Sequence, residues 1–171
     1  MTPTSDPLLT PHVLFGFGPM VRGEWALPEA LVRALSKKGR SVPSAVQGLL
    51  LIDTGASHTC IGAEVARELG LQSRSFVETH GAGGWHSSPE FFARLSFRVP
   101  VGVGKFGTII REHPAASIPA LNESFEKWPA PNLLGHQTTW RLIGLIGRDL
   151  LRNMVFQFDG PACSFALTAP P

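Results

Sequence analysis

The stretch Leu49-Leu50-Leu51-Ile52-Asp53-Thr54-Gly55-Ala56-Ser57 is the most informative in the chain. Gly48 opens a run that is apolar on both faces and bounded by turn residues, the pattern of a short, fully buried strand. The run ends in a carboxylate, a hydroxyl and then Gly55, which can carry the backbone around a tight turn. Asp53 is thereby placed at the edge of a dry region among backbone donors, a setting that fits a carboxylate for acid/base work. Three residues are weak support on their own, because a strand-ending Asp in an Asx-type turn is common. The remainder of the chain has to supply the weight.

The 171 residues are 43% hydrophobic and 16% charged, with a formal net charge of +2. That is one ordinary domain, long enough to bury about 68–70% of its unfolded surface. Intrinsic disorder is excluded, since low hydrophobicity and high net charge are both missing. The small, scattered positive charge argues against a nucleic-acid or membrane-surface partner. Cys60 and Cys163 stand far apart with no ligand spacing, so neither a disulfide scaffold nor a structural zinc is expected. Met1 to Thr10 lacks the basic and apolar regions of a secretory signal. No apolar stretch approaches the length of a membrane span. The expected setting is a reducing compartment, most simply the cytoplasm.

Residues 1–12 read as a loose arm and 13–171 as one domain. Val13 to Trp25 suits an early strand interrupted by turns, and Glu29 to Leu35, after Pro28, an amphipathic helix ended by Gly39. Ile61 to Leu71 has apolar residues at Ile61, Val65 and Leu69 and reads as a helix stopped by Gly70. Ser75 to Phe97 has the outline of a hairpin whose tip is Gly81-Ala82-Gly83-Gly84, followed by Trp85 and a long return through Phe91 and Leu95. Val99 to Ile110 continues as strand, whereas 111–140 reads as a long excursion with little regular structure. Ile143 to Leu151 and Val155 to Phe158 finish the core, and Ser164 to Leu167 suits a last strand. The expected class is mainly β with short helices.

Beyond the hairpin stands Leu142-Ile143-Gly144-Leu145-Ile146-Gly147-Arg148-Asp149-Leu150-Leu151, an apolar strand running into a short helix. The order Asp-Thr-Gly-Ala, glycine-rich hairpin, then apolar-apolar-Gly-Arg-Asp resembles the retropepsin-like family of aspartic proteases, in its bacterial-type, single-domain form. The resemblance covers roughly residues 48–160. It implies a closed or partly open β-barrel with a flap hairpin, one lobe per chain. It also implies an aspartic endopeptidase that activates water between two carboxylates about 3 Å apart, which share one proton because both cannot ionise at that distance. The chain has only one Asp-Thr-Gly, so the resemblance implies a homodimer with both Asp53 side chains at the twofold axis.

By the same resemblance, Thr54 would bond to its counterpart across the dimer, Gly55 would let substrate backbone pass, and Ala56 and Ser57 would complete the loop. Ile146, Gly147, Arg148 and Asp149 would pack behind it. Gly81 to Gly84 would form the mobile flap, with Trp85 either covering substrate or packed beneath the hairpin. Retroviral members carry a carboxylate soon after Asp-Thr-Gly-Ala that pairs with the later arginine. Ser57 and His58 stand there here, so Arg148 needs another partner. Residues 26–47 and 105–140 are insertions relative to the shortest retroviral enzymes.

Six histidines show no metal-binding spacing, so no metal or cofactor is expected. Cys60 with His58 suggests a nucleophile pair, but a buried structural thiol fits better. The reading is a homodimeric aspartic endopeptidase acting on peptide or protein. The alternative is a catalytically silent dimeric module of the same fold that binds peptides or proteins.

Overall fold

The computed structural model describes residues 18–81, 84–102, 105–118, 141–161 and 164–168. The arm expected over residues 1–12, the flap residues Ala82 and Gly83, and Cys163 lie outside them. The elements run β1 (Met20–Ala26), α1 (Glu29–Lys37), β2 (Val46–Ile52), β3 (Cys60–Gly62), α2 (Ala63–Glu68), β4 (Ser75–Gly81) and β5 (Gly84–Gly102). Then follow β6 (Lys105–Ile118), β7 (Leu142–Ile146), α3 (Arg148–Leu151), β8 (Val155–Asp159) and β9 (Ser164–Thr168).

One sheet has the order β1-β2-β7-β3-β6-β5-β4, and β1 also pairs with β5. That extra pairing joins Gly23–Ala26 to Arg94–Phe97 and closes six strands into a barrel, with β4 hanging outside as the second arm of a hairpin. Closure removes two free edges. It also crowds the corner where β1 meets both neighbours. A Cβ on Gly23 would lie 2.3 Å from Leu50 Cδ1 and 2.6 Å from the Ser96 carbonyl. Trp25, Leu50, Ile61, Leu95, Phe97, Ile143, Ile146 and Leu167 fill the interior and are buried.

β2 and β7 run parallel, with Leu51 opposite Leu145 and Ile52 opposite Ile146. Both strands therefore end at one level, which brings the Asp53 turn and the start of α3 side by side. Two motifs distant in sequence become neighbours through register alone.

The structure departs from the sequence reading in three places. Ile61 belongs to β3, wedged between β6 and β7, and the helix begins only at Ala63. Ile61, Val65 and Leu69 are all buried nonetheless, so an apolar period of four spans a strand-to-helix junction. Residues 111–118, read as irregular, form the second half of β6. Pro114 is tolerated because β3 pairs with β6 only over Ala116–Ile118, leaving the strand before it an open edge where a missing N–H costs no ladder bond. β8 does not finish the core: Val155 and Phe158 are exposed and only Phe156 packs inward, against Phe165 of β9.

α1 matches its expectation, with Gly39 at φ +62° past its end. It lies on the surface, its Val32 and Leu35 touching the core and its first N–H donating to the Glu112 carboxylate of β6 at 2.6 Å.

Candidate active site

Asp53 follows the last residue of β2. Its N–H donates to the Ile146 carbonyl at 3.0 Å, which carries the β2–β7 ladder one step past Ile52. The chain then turns so that the Gly55 and Ala56 amides both donate to Asp53 Oδ1, at 2.8 and 3.2 Å. A Cβ on Gly55 would sit 3.1 Å from that oxygen, so the turn leaves little room for a side chain. Oδ2 carries no hydrogen bond among the described residues. The carboxylate is half-buried and Thr54, Gly55 and Ser57 are exposed, so the loop presents itself to solvent.

The far end of the loop is clasped to α3. Arg148 N donates to the Ala56 carbonyl at 2.9 Å. Gly147 packs flat on the loop, since a Cβ there would lie 2.4 Å from the His58 carbonyl carbon. No side chain fits that gap, which explains a glycine between Ile146 and Arg148. The missing partner of Arg148 is a backbone group: its Nη1 stands 3.5 Å from the Thr54 carbonyl on the exposed side of the loop.

Asp149 has a different role from Asp53. Its Oδ2 accepts from the Thr59 amide at 2.8 Å, and its Oδ1 from the Thr59 hydroxyl at 2.7 Å and the Leu150 amide at 2.9 Å. His113 Nε2 lies 2.8 Å from Oδ2. Thr59 is fully buried, and its Oγ1 also accepts from Gly147 N at 3.2 Å. Burial by itself would raise the Asp149 carboxyl, but the bonds from His113 and Thr59 outweigh it and hold it down at about 2. Sequence reasoning named Asp149 but missed Thr59 and His113. Thr59 had no local signal, since it follows the polar residues Ser57 and His58. His113 had none, because its segment reads as irregular.

Cys60 is buried and its Sγ donates to the His58 carbonyl at 3.2 Å. Burial first, then the charges of Asp149 and Asp53, push its thiol up to about 12. Such a thiol stays protonated and makes a poor nucleophile, which favours the structural reading of this cysteine.

β4 and β5 form the expected hairpin, Ser75 opposite Glu90 through Gly81 opposite Gly84, with Gly84 at φ +96°. Val77 packs on the barrel beside Cys60, Leu142 and Leu145. Thr79 shares its face, its hydroxyl 3.1 Å from that of Ser88. Trp85 pairs with His80 on the opposite face, that of Phe76, and is 73% exposed. It is therefore not packed beneath the hairpin. Among the described residues, no group of three or more His, Cys, Asp or Glu is arranged to hold a metal ion, and no helix is long and apolar enough to cross a membrane.

A sequence model for the family described as aspartyl protease matches residues 39–135, more than half of the chain. The match takes in β2, the Asp53 loop, the hairpin and β6, and stops before β7. No curated protein matches the chain closely enough to count as a relative.

Proposed function

From the premise that the chain belongs to the retropepsin-like aspartyl protease family, we propose that it is a homodimeric aspartic endopeptidase in which each chain contributes Asp53. One observation carries this reading: the two Asp-containing motifs meet at one end of the barrel, yet only Asp53 keeps a carboxylate oxygen without a partner among the described residues. Asp149 is committed to Thr59, His113 and the Leu150 amide. Asp159 stands at the end of β8, away from these loops in sequence and sheet, and Asp6 lies outside the described residues. On this reading the second carboxylate of the dyad comes from another copy, and the exposed Thr54 and Gly55 are the residues such a copy would meet.

In that dimer one Asp53 is ionised and takes a proton from the attacking water. The other is protonated and donates to the scissile carbonyl oxygen, and the roles reverse as the amine leaves. The Gly55 and Ala56 amides orient Oδ1 and leave Oδ2 to face water and substrate. The β4–β5 hairpin closes over the peptide and excludes bulk solvent.

The test mixes wild-type chain with Asp53→Asn. The variant alone should lose roughly 10³-fold in peptide cleavage. Mixed in equal amounts and allowed to exchange, the chains should retain about half the activity per wild-type chain, because random pairing places half of the wild-type chains in mixed dimers. Activity strictly proportional to wild-type chain would exclude the shared site. Absence of cleavage by the wild type, together with peptide binding, would favour a silent binding module.

A further inference from the structure

Beyond the dyad, one part-buried polar group ties the candidate site to the sheet that carries the flap. We infer that His113 is a positioning residue that sets the geometry of the Asp53 loop through Asp149. The inference rests on the reading of Asp53 as the catalytic residue for its kinetic consequence, though not for its structural one.

The chain of contacts is continuous. His113 Nε2 meets Asp149 Oδ2 at 2.8 Å. An ionised carboxylate has no proton to give, so the imidazole donates from Nε2. The same Oδ2 accepts from Thr59 N, and Oδ1 accepts from Thr59 Oγ1. Thr59 Oγ1 accepts in turn from Gly147 N, the residue packed flat against the His58 carbonyl. The far end of the loop that begins at Asp53 is thus held by the Asp149 carboxylate together with the bonds from Arg148 N to the Ala56 carbonyl and from Ala116 N to the Thr59 carbonyl, and His113 is the β6 side chain that fixes the carboxylate. The side chains of His113 and Asp149 are only 18% and 21% exposed, so water replaces a lost donor poorly.

His113 is also well placed as an anchor. It stands on β6 opposite Ala93 of β5, within a ladder running from Glu90–Ala116 to Gly102–Lys105. The same β5 begins at Gly84 as the return arm of the flap hairpin. His113 therefore pins the loop to the strand pair from which the flap extends. A displacement of about 1 Å in a reacting group costs on the order of 10²-fold in rate, so a pin of this kind acts on kcat.

Two substitutions separate positioning from bulk. His113→Phe keeps a ring and removes the donor. His113→Gln places an amide N–H close to the position of Nε2. His113→Phe is expected to lower kcat roughly 10- to 100-fold with KM within about twofold, and His113→Gln to recover most of that loss. NMR-detected hydrogen exchange at the Thr59 and Gly147 amides should quicken about tenfold in His113→Phe and return towards wild type in His113→Gln. The exchange measurement stands whether or not the chain cleaves peptides. A wild type without cleavage, but with exchange that responds as described, would overturn the endopeptidase reading and sustain the pin. Unchanged exchange and kcat in His113→Phe would overturn the pin. Equal losses in Phe and Gln, with kcat and KM moving together, would also overturn it by reducing His113 to packing.

Discussion

Thr59→Val removes one oxygen and nearly nothing else, so it isolates the energy of the clasp. The side chain is fully buried, and valine matches its shape. The lost hydroxyl donates to Asp149 Oδ1 at 2.7 Å, a bond to a charged acceptor worth about 1.5–3 kcal/mol. It also accepts from the buried Gly147 N at 3.2 Å, and stranding that donor costs about 1–3 kcal/mol, with the long distance pointing to the lower end. The Thr59 N–H to Asp149 Oδ2 bond survives, and an added buried methyl returns about 0.8 kcal/mol. The net expectation is a loss of about 2–3 kcal/mol, or about 4–12 °C in Tm for a chain of this size. Thr59→Ser keeps both bonds and gives up one buried methyl, about 1 kcal/mol. The assay is urea denaturation of the three proteins at one fixed concentration, since self-association would make the midpoint concentration-dependent. If the valine variant proved as stable as the serine variant, the hydroxyl network would not hold this loop.

Two further outcomes follow from the charges around the same clasp. The Asp149 carboxyl lies at about 2 in the folded chain against an ordinary 3.8, because the bonds from His113 and Thr59 overcome its burial. Its contribution is complete above pH 4 and fades as pH falls towards 2, since the unfolded chain takes up the proton first. Partial exposure trims this contribution to about 1 kcal/mol, so the urea midpoint of Asp149→Asn should fall less steeply between pH 4 and 2 than that of wild type. A matching slope would refute the assignment. At Cys60, a thiol pushed up to about 12 leaves roughly one thiolate in 10⁴ at pH 8, so iodoacetamide should label it only after unfolding. Labelling of the Cys60 peptide in the native protein, read by mass spectrometry, would refute that.

What could be read of the fold divides by the range of the interactions involved. β2 announces itself because a strand buried on both faces needs four consecutive apolar residues, and Leu49–Ile52 supply them locally. α1 is equally local, with Pro28 before its first turn and Gly39 beyond its last. β6 is the opposite case. Pro114, Glu112 and His113 carry no strand signal, and the segment is extended because Phe91–Leu95 pair with it along a 14-residue strand. Cys60–Gly62 fails for a related reason. Three residues become a strand only when β6 and β7 flank them, and the apolar spacing that continues into α2 disguises the boundary.

The site shows the same divide more sharply, because its two aspartates are chemically identical and differ only in company. Asp53 and Asp149 each adjoin a glycine-containing turn at the end of an apolar strand, and the parallel register of β2 and β7 delivers both to one end of the barrel. Local sequence separates them only by motif. The partners separate them physically. Asp149 receives donors from Thr59 in the loop before β3, from His113 on β6 and from Leu150 in its own helix, which saturate both oxygens and hold it ionised as a structural anion. Asp53 receives two amides from its own turn, both on Oδ1. A carboxylate held on one oxygen is oriented yet keeps the other for chemistry, whereas one held on both is a fastener. Two of the donors that make Asp149 a fastener, Thr59 Oγ1 and His113 Nε2, belong to residues that no local pattern marks. The division of labour between the two aspartates is therefore a property of the folded chain, and the variants at Thr59 and His113 measure it directly.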